Sequence, residues 1–390
     1  MDLDAFFASV ELLDHPELVH LPVVVSHDSV RAVVTAANYP ARKFGVRSAM
    51  PLSRAKRLCP TAVILQPHFE KYRYFSNQVM SILTDTTPLV ERMSIDEAFL
   101  DVAGAMKLSG SPFEIGASIR QRVFESTGLT CSIGAAATKF VAKLASGLAK
   151  PDGLLVIPQS ETLRFLHPLP ASSLWGVGAA TEKSLQSFGL HTIQDIAQTP
   201  VSVLKRLVGD AVGSKLHDLS NGRDDRKVVT STIEKSIGNE VTFEVDVSNQ
   251  ATLKRELLRQ AFNIGKRLRQ TGLVARTVSL KLRTEDFTTL TRSRTLDEPT
   301  QVSKRIANEV IDLFDKLKVN APVRLIGARV EQLSEASGSS FALWDEDEEW
   351  REAEKRIDEV QNRFGDDSLK PASLLRRPDE LGPSRRRPSL

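Results

Sequence analysis

The regular alternation along this chain is strongest late in the sequence. Val278, Leu280 and Leu282 alternate with Thr277, Ser279, Lys281 and Arg283, the period of two that turns one side of a strand to a core and the other to solvent. The surrounding pattern predicts a strand over 240–247, a helix over 250–270, strands over 276–283 and 287–295, a helix over 300–317 and a strand over 323–330. The N-terminal third carries the same β-α-β-β-α-β string. It predicts a first strand at the terminus, a helix after Pro67 running to Thr84, strands over 89–94 and 98–102 with a tight turn at Ile95-Asp96-Glu97, a helix over 112–127 and a strand over 130–136. In a split βαβ arrangement the first and third of these strands are neighbours. An insert over 12–66 holds strands at 22–26 and 31–36 and short helices near 39–44 and 53–58. Residues 163–221 read as short helices punctuated by Gly176, Gly178, Gly189, Gly209 and Gly213. A polar linker follows. Beyond Ser334 the composition turns acidic and then Pro/Arg-rich, which predicts disorder apart from one helix near 350–364.

At 390 residues the chain exceeds one ordinary core, so two to four compact units are expected. Hydrophobic residues at 41% and charged residues at 26% set aside collagen-like, disordered and membrane classes for most of the length. No apolar run approaches the roughly 18 residues of a membrane span, and no secretory signal opens the chain, so a cytoplasmic protein without a membrane partner is expected. Cys59 and Cys131 lack metal-ligand spacing and read as reduced structural thiols. Seven scattered histidines make no HExxH pattern, so zinc is not expected. From Lys235 to Glu331 there are 18 Lys/Arg against 12 Asp/Glu, more basic than the overall net charge of +3, which points to an anionic partner.

The candidate chemistry lies where the first strand meets the hairpin. Asp2 and Asp4 belong to the strand and Asp96 and Glu97 to the turn. Oxygen-rich clusters of this kind hold Mg²⁺ together with phosphates and water. Taken alone, an Asp-x-Asp and a distant Asp-Glu fit surface carboxylates equally well.

Four segments carry more. Asp2-Leu3-Asp4-Ala5-Phe6-Phe7-Ala8-Ser9-Val10-Glu11, Asn38-Tyr39-Pro40-Ala41-Arg42-Lys43-Phe44-Gly45-Val46, Ser94-Ile95-Asp96-Glu97-Ala98-Phe99-Leu100-Asp101 and Ala149-Lys150-Pro151-Asp152-Gly153, in that order and spacing, resemble the Y family of DNA polymerases, and most closely its bacterial DinB type. The resemblance runs from Asp2 to about Glu331. It implies an α+β multidomain chain shaped as a right-hand polymerase: a βαββαβ palm (1–11 and 67–162), small fingers (12–66), a helical thumb with a helix-hairpin-helix (163–222), a linker (223–236), a βαββαβ little finger (237–332) and a largely disordered tail (333–390).

The resemblance also implies roles. Asp2, Asp96 and Glu97 are the catalytic carboxylates and, with the Leu3 carbonyl, the ligands of two Mg²⁺ ions per site; Asp4 is set aside. Phe7 is the steric gate that excludes a 2′-hydroxyl, and Phe6, Tyr39, Arg42 and Lys150 bind the dNTP. Gly176 and Gly178 present backbone N–H groups to a DNA phosphate. Lys281 and Arg283, extended by Arg292 and Arg294 on the adjacent strand, form a basic surface for primer-template DNA without sequence preference. The expected activity is low-fidelity translesion synthesis without proofreading, in a monomer that docks on the replication sliding clamp through Leu343 and Trp344. The stripe Trp350, Ile357, Val360 and Phe364 equally fits packing on the protein body.

Two departures matter. Ala36 stands where many relatives carry a hydroxyl that touches the triphosphate, a contact worth about 0.5–1.5 kcal/mol. Relatives also run a hydrophobic strand into the first aspartate, whereas only Met1 precedes Asp2 here, so the expectation is a start farther upstream. The rival readings are a catalytically silent DNA-binding paralogue and a nucleotidyl cyclase; the latter has no use for a duplex-gripping thumb or little finger.

Overall fold

The computed structural model describes residues 1–231, 234–336, 347–365 and 368–374. Two compact units divide the chain, Met1–Thr232 and Ile233–Leu390. The strands of the first are β1 (Asp2–Leu3), β2 (Val23–Val25), β3 (Ala36–Ala37), β4 (Val63–Leu65), β5 (Val90–Arg92), β6 (Ala98–Leu100), β7 (Cys131–Ala135) and β8 (Leu154–Val156).

β1 pairs antiparallel with β7, Asp2 opposite Ser132 and Leu3 opposite Cys131. On its other edge it meets the β5–β6 hairpin through a bridge between Asp2 and Glu97, supported by Leu3 N–H to Asp96 O (3.0 Å) and Ala98 N–H to Met1 O (3.1 Å). The order β5-β6-β1-β7-β8 follows, so first and third strands are neighbours, as the split βαβ reading requires. The helices Phe69–Thr86 and Pro112–Thr127 cover one face, burying Tyr72, Val79, Leu83, Ile115 and Ile119 with Leu3 and Phe6. Ser111 and Glu114 close a capping box at the start of the second helix, and Gly128 ends it at φ +71°.

β8 and the helix Lys139–Ala149 are additions to the expected elements. The helix crosses β7 so closely that a Cβ at Gly134 would fall 2.1 Å from Ala142 O and 2.2 Å from Ser146 N. In the insert the run Val23–Val25 is buried on both faces, the mark of a central strand, and lies between β3 and β4. Residues 162–220 form five short helices around Leu185, Ile193, Ile196, Leu204 and Leu216.

The second unit holds β9 (Ser236–Val247), β10 (Leu273–Thr284), β11 (Thr289–Thr300) and β12 (Val323–Glu335), all antiparallel in the order β11-β10-β12-β9. Val278, Leu280 and Leu282 are fully buried against the helices Gln250–Thr271 and Ser303–Leu317, as their alternation predicts. The register corrects one expectation. Arg292 lies opposite Leu280 and Arg294 opposite Val278, so both share the helix-covered side and do not extend the surface of Lys281 and Arg283. Arg294 is held there by Glu309 (2.6 Å) and Asp312 of the helix Ser303–Leu317.

The tail helix is present as Glu348–Phe364. It docks through its polar side: buried Glu354 accepts from Ser303 N (2.8 Å), Ser303 Oγ (2.9 Å) and Lys304 N (3.1 Å), capping the helix Ser303–Leu317, while Arg269 bridges Glu354 and Asp358. Trp350, Val360 and Phe364 stay exposed. The expected clamp anchors Leu343 and Trp344 lie outside the described residues. No helix among the described residues is long and apolar enough to cross a membrane.

Candidate active site

Because β1 runs between β6 and β7, its first polar side chain emerges beside the hairpin turn. Asp2 and Glu97 are partners in the backbone bridge that joins β1 to the hairpin. The Lys150 ammonium binds Asp2 and donates to Leu3 O (3.2 Å), and Lys143 donates to Glu97 (2.8 Å). Burial, aided by Glu97 and opposed by Lys150, pushes the Asp2 carboxyl up to about 6. Burial pulls Glu97 upward as well, but hydrogen bonds with Lys143 and Asp2 outweigh it and the net shift is downward. This pocket of oxygen donors is built to be balanced by positive charge.

Asp96 occupies the adjoining turn, its backbone oxygen on Leu3 N–H and its carboxylate on the Ser94 hydroxyl, which also accepts from Glu97 N (3.1 Å). The expected convergence of three carboxylates is therefore incomplete. Among the described residues no three His, Cys, Asp or Glu side chains form a metal-holding group; the Asp96 carboxylate accepts from the Ser94 hydroxyl.

Asp4 points elsewhere. Only 2% exposed, it accepts from Ser132 Oγ (2.8 Å), Asp152 N (2.8 Å) and the Tyr39 hydroxyl (3.3 Å), fastening the insert and the 150–153 loop to β1 and β7. Burial and the neighbouring Asp4 raise the Tyr39 phenol well above its ordinary value. The Arg42 guanidinium lies over the Tyr39 ring at 5.0 Å, with Nε on Ala37 O (2.8 Å).

Phe7 stands against a wall of rings. It stacks on Tyr72 at 4.2 Å and 17°, and Phe69 meets it edge-on at 5.9 Å. The Tyr72 hydroxyl is held by Glu11, which also accepts from His68 N (3.0 Å) and pairs with His68 Nδ1 (2.9 Å). Phe6 is a correction: its ring is 3% exposed within the core, so its side chain cannot meet a nucleotide. Lys143, Ser94 and Tyr72 were not foreseen. Lys143 required knowledge of the helix over β7; for Tyr72 the only signal was its helical spacing from Phe69, which reads as ordinary core.

In the helical region Gly176 takes φ +101°, which demands glycine, while Gly178 caps the helix Ala179–Ser187 and has open space where a Cβ would stand. That helix has no side-chain cap, leaving its first N–H groups for another acceptor. Trp175 is anchored on Phe99 (6.1 Å) and under Arg226 (4.3 Å).

Residues 1–147 match the impB/mucB/samB family, residues 234–343 the C-terminal domain of that family, and residues 172–224 the thumb domain of DNA polymerase-iota. The chain is 40% identical over 381 residues to DNA polymerase IV of Desulfatibacillum aliphaticivorans, covering 96% of each. It is 41% identical over 345 residues to DNA polymerase IV of Exiguobacterium sibiricum, covering 88% of this chain and 96% of the relative. Among solved structures, a Y-family DNA polymerase chimera superposes with a TM-score of 0.75 at 27% identity, and an insertion ternary complex of Dbh DNA polymerase with 0.63 at 26%; each match covers 85% of this chain and 97% of the other. The relatives, the structural neighbours and the thumb-domain match define a multidomain α+β DNA-directed DNA polymerase. The chain belongs to the Y family, in its DinB-type branch.

Proposed function

We propose that this polymerase extends a primer 3′-hydroxyl on damaged as well as intact templates, selecting deoxynucleotides at Phe7 and without removing what it has added. The observation that carries the reading is the meeting of Asp2, Glu97 and the Leu3 carbonyl between β6 and β7, with Lys150 on Asp2 and Leu3 O and Lys143 on Glu97.

The donor set fits hard divalent cations: it is all oxygen, and the raised Asp2 carboxyl marks a demand for positive charge. Asp2, Leu3 O and Glu97 would hold two Mg²⁺ ions, with Asp96 joining once it turns from Ser94. Bound there, the ions would sharpen the attacking hydroxyl and neutralise charge on the leaving group. Lys150, Arg42 and Tyr39 would grip the triphosphate, Arg as a planar fork and Lys as a point charge. Phe7, fixed from behind by Tyr72 and Phe69, would leave no room for a 2′-hydroxyl. Lys281 and Arg283, with Thr289 and Thr291 opposite them on β11, would follow phosphates of the duplex. Docking on a sliding clamp through Leu343 and Trp344 belongs to the same reading.

Primer extension with Mg²⁺ and dNTPs, comparing the native chain with Asp96→Asn, tests it. Template-directed extension that falls at least about a hundredfold in the variant is expected, the scale of losing one preorganised charge contact. Intact DNA binding without extension by the native chain would instead select the catalytically silent paralogue.

A further inference from the structure

Behind Phe7 lies a buried carboxylate that neither the metal site nor the triphosphate grip uses. Glu11 follows Phe7 by one turn on the helix Phe6–Leu13, so the two side chains leave the same face of that helix. The Phe7 ring is half-buried, whereas Glu11 is 2% exposed and Tyr72 is fully buried.

A carboxylate buried this deeply is tolerated only when its oxygens are hydrogen-bonded. Oε1 accepts from the Tyr72 hydroxyl and from His68 N (3.0 Å), and Oε2 faces His68 Nδ1 (2.9 Å). These contacts fix the direction of each bond. A carboxylate offers only acceptors, so the phenolic proton of Tyr72 points at Glu11, and the phenolic oxygen receives His68 N–H (3.1 Å). Burial, aided by the bond to Glu11, holds that phenol protonated well above its ordinary value. His68 stands directly before the helix Phe69–Thr86 and supplies no side-chain cap, so Glu11 also fastens the start of that helix.

The side chains form a closed circuit. Phe7 stacks on Tyr72 at 4.2 Å, Tyr72 is pinned through its hydroxyl to Glu11, and Glu11 returns through one helical turn to Phe7. Phe69 meets both rings edge-on, at 5.9 Å and 5.5 Å. Two stacked rings alone can slide and tilt, but a hydroxyl fixed at one end removes that freedom from the ring behind Phe7. Selection by clash is only as strong as the resistance of the ring to displacement, because a ring that yields turns a clash into a contact. The Lys71–Asp14 pair joins the same two helices farther out, but both partners are exposed, and screening leaves it little holding power.

We propose that Glu11 is a positioning residue for sugar selection, acting through the Tyr72 hydroxyl to hold the Phe7 ring in the path of a 2′-hydroxyl. The inference rests on the reading of Phe7 as the steric gate.

The test measures kcat/KM for dCTP and for CTP opposite a template guanine with the full chain, and takes their ratio as the sugar discrimination. Glu11→Ala and Tyr72→Phe are each expected to lower the ratio about tenfold, the scale of one hydrogen bond to a charged group, chiefly through a lower KM for CTP. The double variant should lower it no further than either alone, since both remove the same link. Glu11→Gln keeps an oxygen for the Tyr72 hydroxyl and is expected to retain the discrimination. Tyr72→Phe leaves Glu11 on His68, so an unchanged ratio in that variant, or losses that add in the double variant, reduces Glu11 to a helix cap and overturns the proposal. Phe7→Ala separates the two readings. A ratio that Phe7→Ala leaves unaltered overturns the gate assignment and this proposal with it, whereas a ratio that falls in Phe7→Ala but holds in Glu11→Ala overturns the role of Glu11 alone.

Discussion

The palm sheet of the first unit and the sheet of the second are built from one element string and arranged in opposite ways. In the first unit the initial strand lies in the middle, in the order β5-β6-β1-β7, and is two residues long. In the second the initial strand β9 lies at the edge, in the order β11-β10-β12-β9, and every strand has 12 or 13 residues. A long ladder satisfies its own backbone and sorts side chains cleanly into an apolar face under two helices and a polar face. The short central β1 does neither. It brings two acidic loops together at a point where side chains and lysines must complete the structure. The contrast teaches that chemistry was placed where the sheet is least self-sufficient.

Strand glycines test the comparison most severely. At Gly134 an added Cβ would fall 2.1–2.2 Å from backbone atoms of the helix Lys139–Ala149, whereas at Gly327 the nearest atom, the Glu240 Cβ of the neighbouring strand, stands 2.7 Å away. Gly134→Ala is expected to cost the first unit about 3 kcal/mol or more and Gly327→Ala about 1 kcal/mol in the second, on the scale of overpacking. Urea unfolding followed by probes in each unit would show it; equal losses would mean that the short sheet yields as easily as the long one.

Glu354 is the next largest effect. It is fully buried, caps the helix Ser303–Leu317 and pairs with Arg269, so Glu354→Ala should destabilise the second unit by about 3 kcal/mol, the scale for breaking a buried pair. Faster amide exchange at Ser303 and Lys304 would locate the loss at that cap. Glu354→Gln retains acceptors and should lose less. If both variants leave those amides protected, the tail helix is not what secures this end of the sheet.

The smallest effect separates the faces of the second sheet. Lys281→Ala should lower the slope of log affinity for DNA against log salt by about 1, because Lys281 stands on the polar face. Arg294→Ala should leave that slope unchanged, since Glu309 and Asp312 already hold its guanidinium. A fall of the same size for Arg294 would break the assignment of faces.

Much of the site was legible because it rests on local chemistry. A turn at Ile95-Asp96-Glu97 between two strands, and carboxylates on a strand that must neighbour it, follow from period and topology. The alternation of Val278, Leu280 and Leu282 predicted the buried side of β10 without any knowledge of its partners. Two expectations needed a partner and missed it, and a third question was left open. Arg292 and Arg294 were assigned a face by composition, but a face on an adjacent strand depends on register, and one residue of shift reverses it. The tail stripe of Trp350, Ile357, Val360 and Phe364 left packing on the body open, and the structure seats this helix through Glu354 at a helix end while Trp350, Val360 and Phe364 stay exposed. Phe6 and Phe7 are neighbours with the same chemistry, and only the packing decides that one ring is core and the other faces the site.

The sequence by itself determined where most helices and strands form, which segments carry the acidic motifs and that residues 235–331 are basic, because helix and strand periods, caps and charge are properties of neighbouring residues. Tertiary structure alone decided the strand order, the lysines that balance Asp2 and Glu97 and the hold of Asp4 on Ser132 and Asp152. Each of these is a contact between residues far apart in the chain, and its outcome depends on register and close approach, which no local pattern encodes.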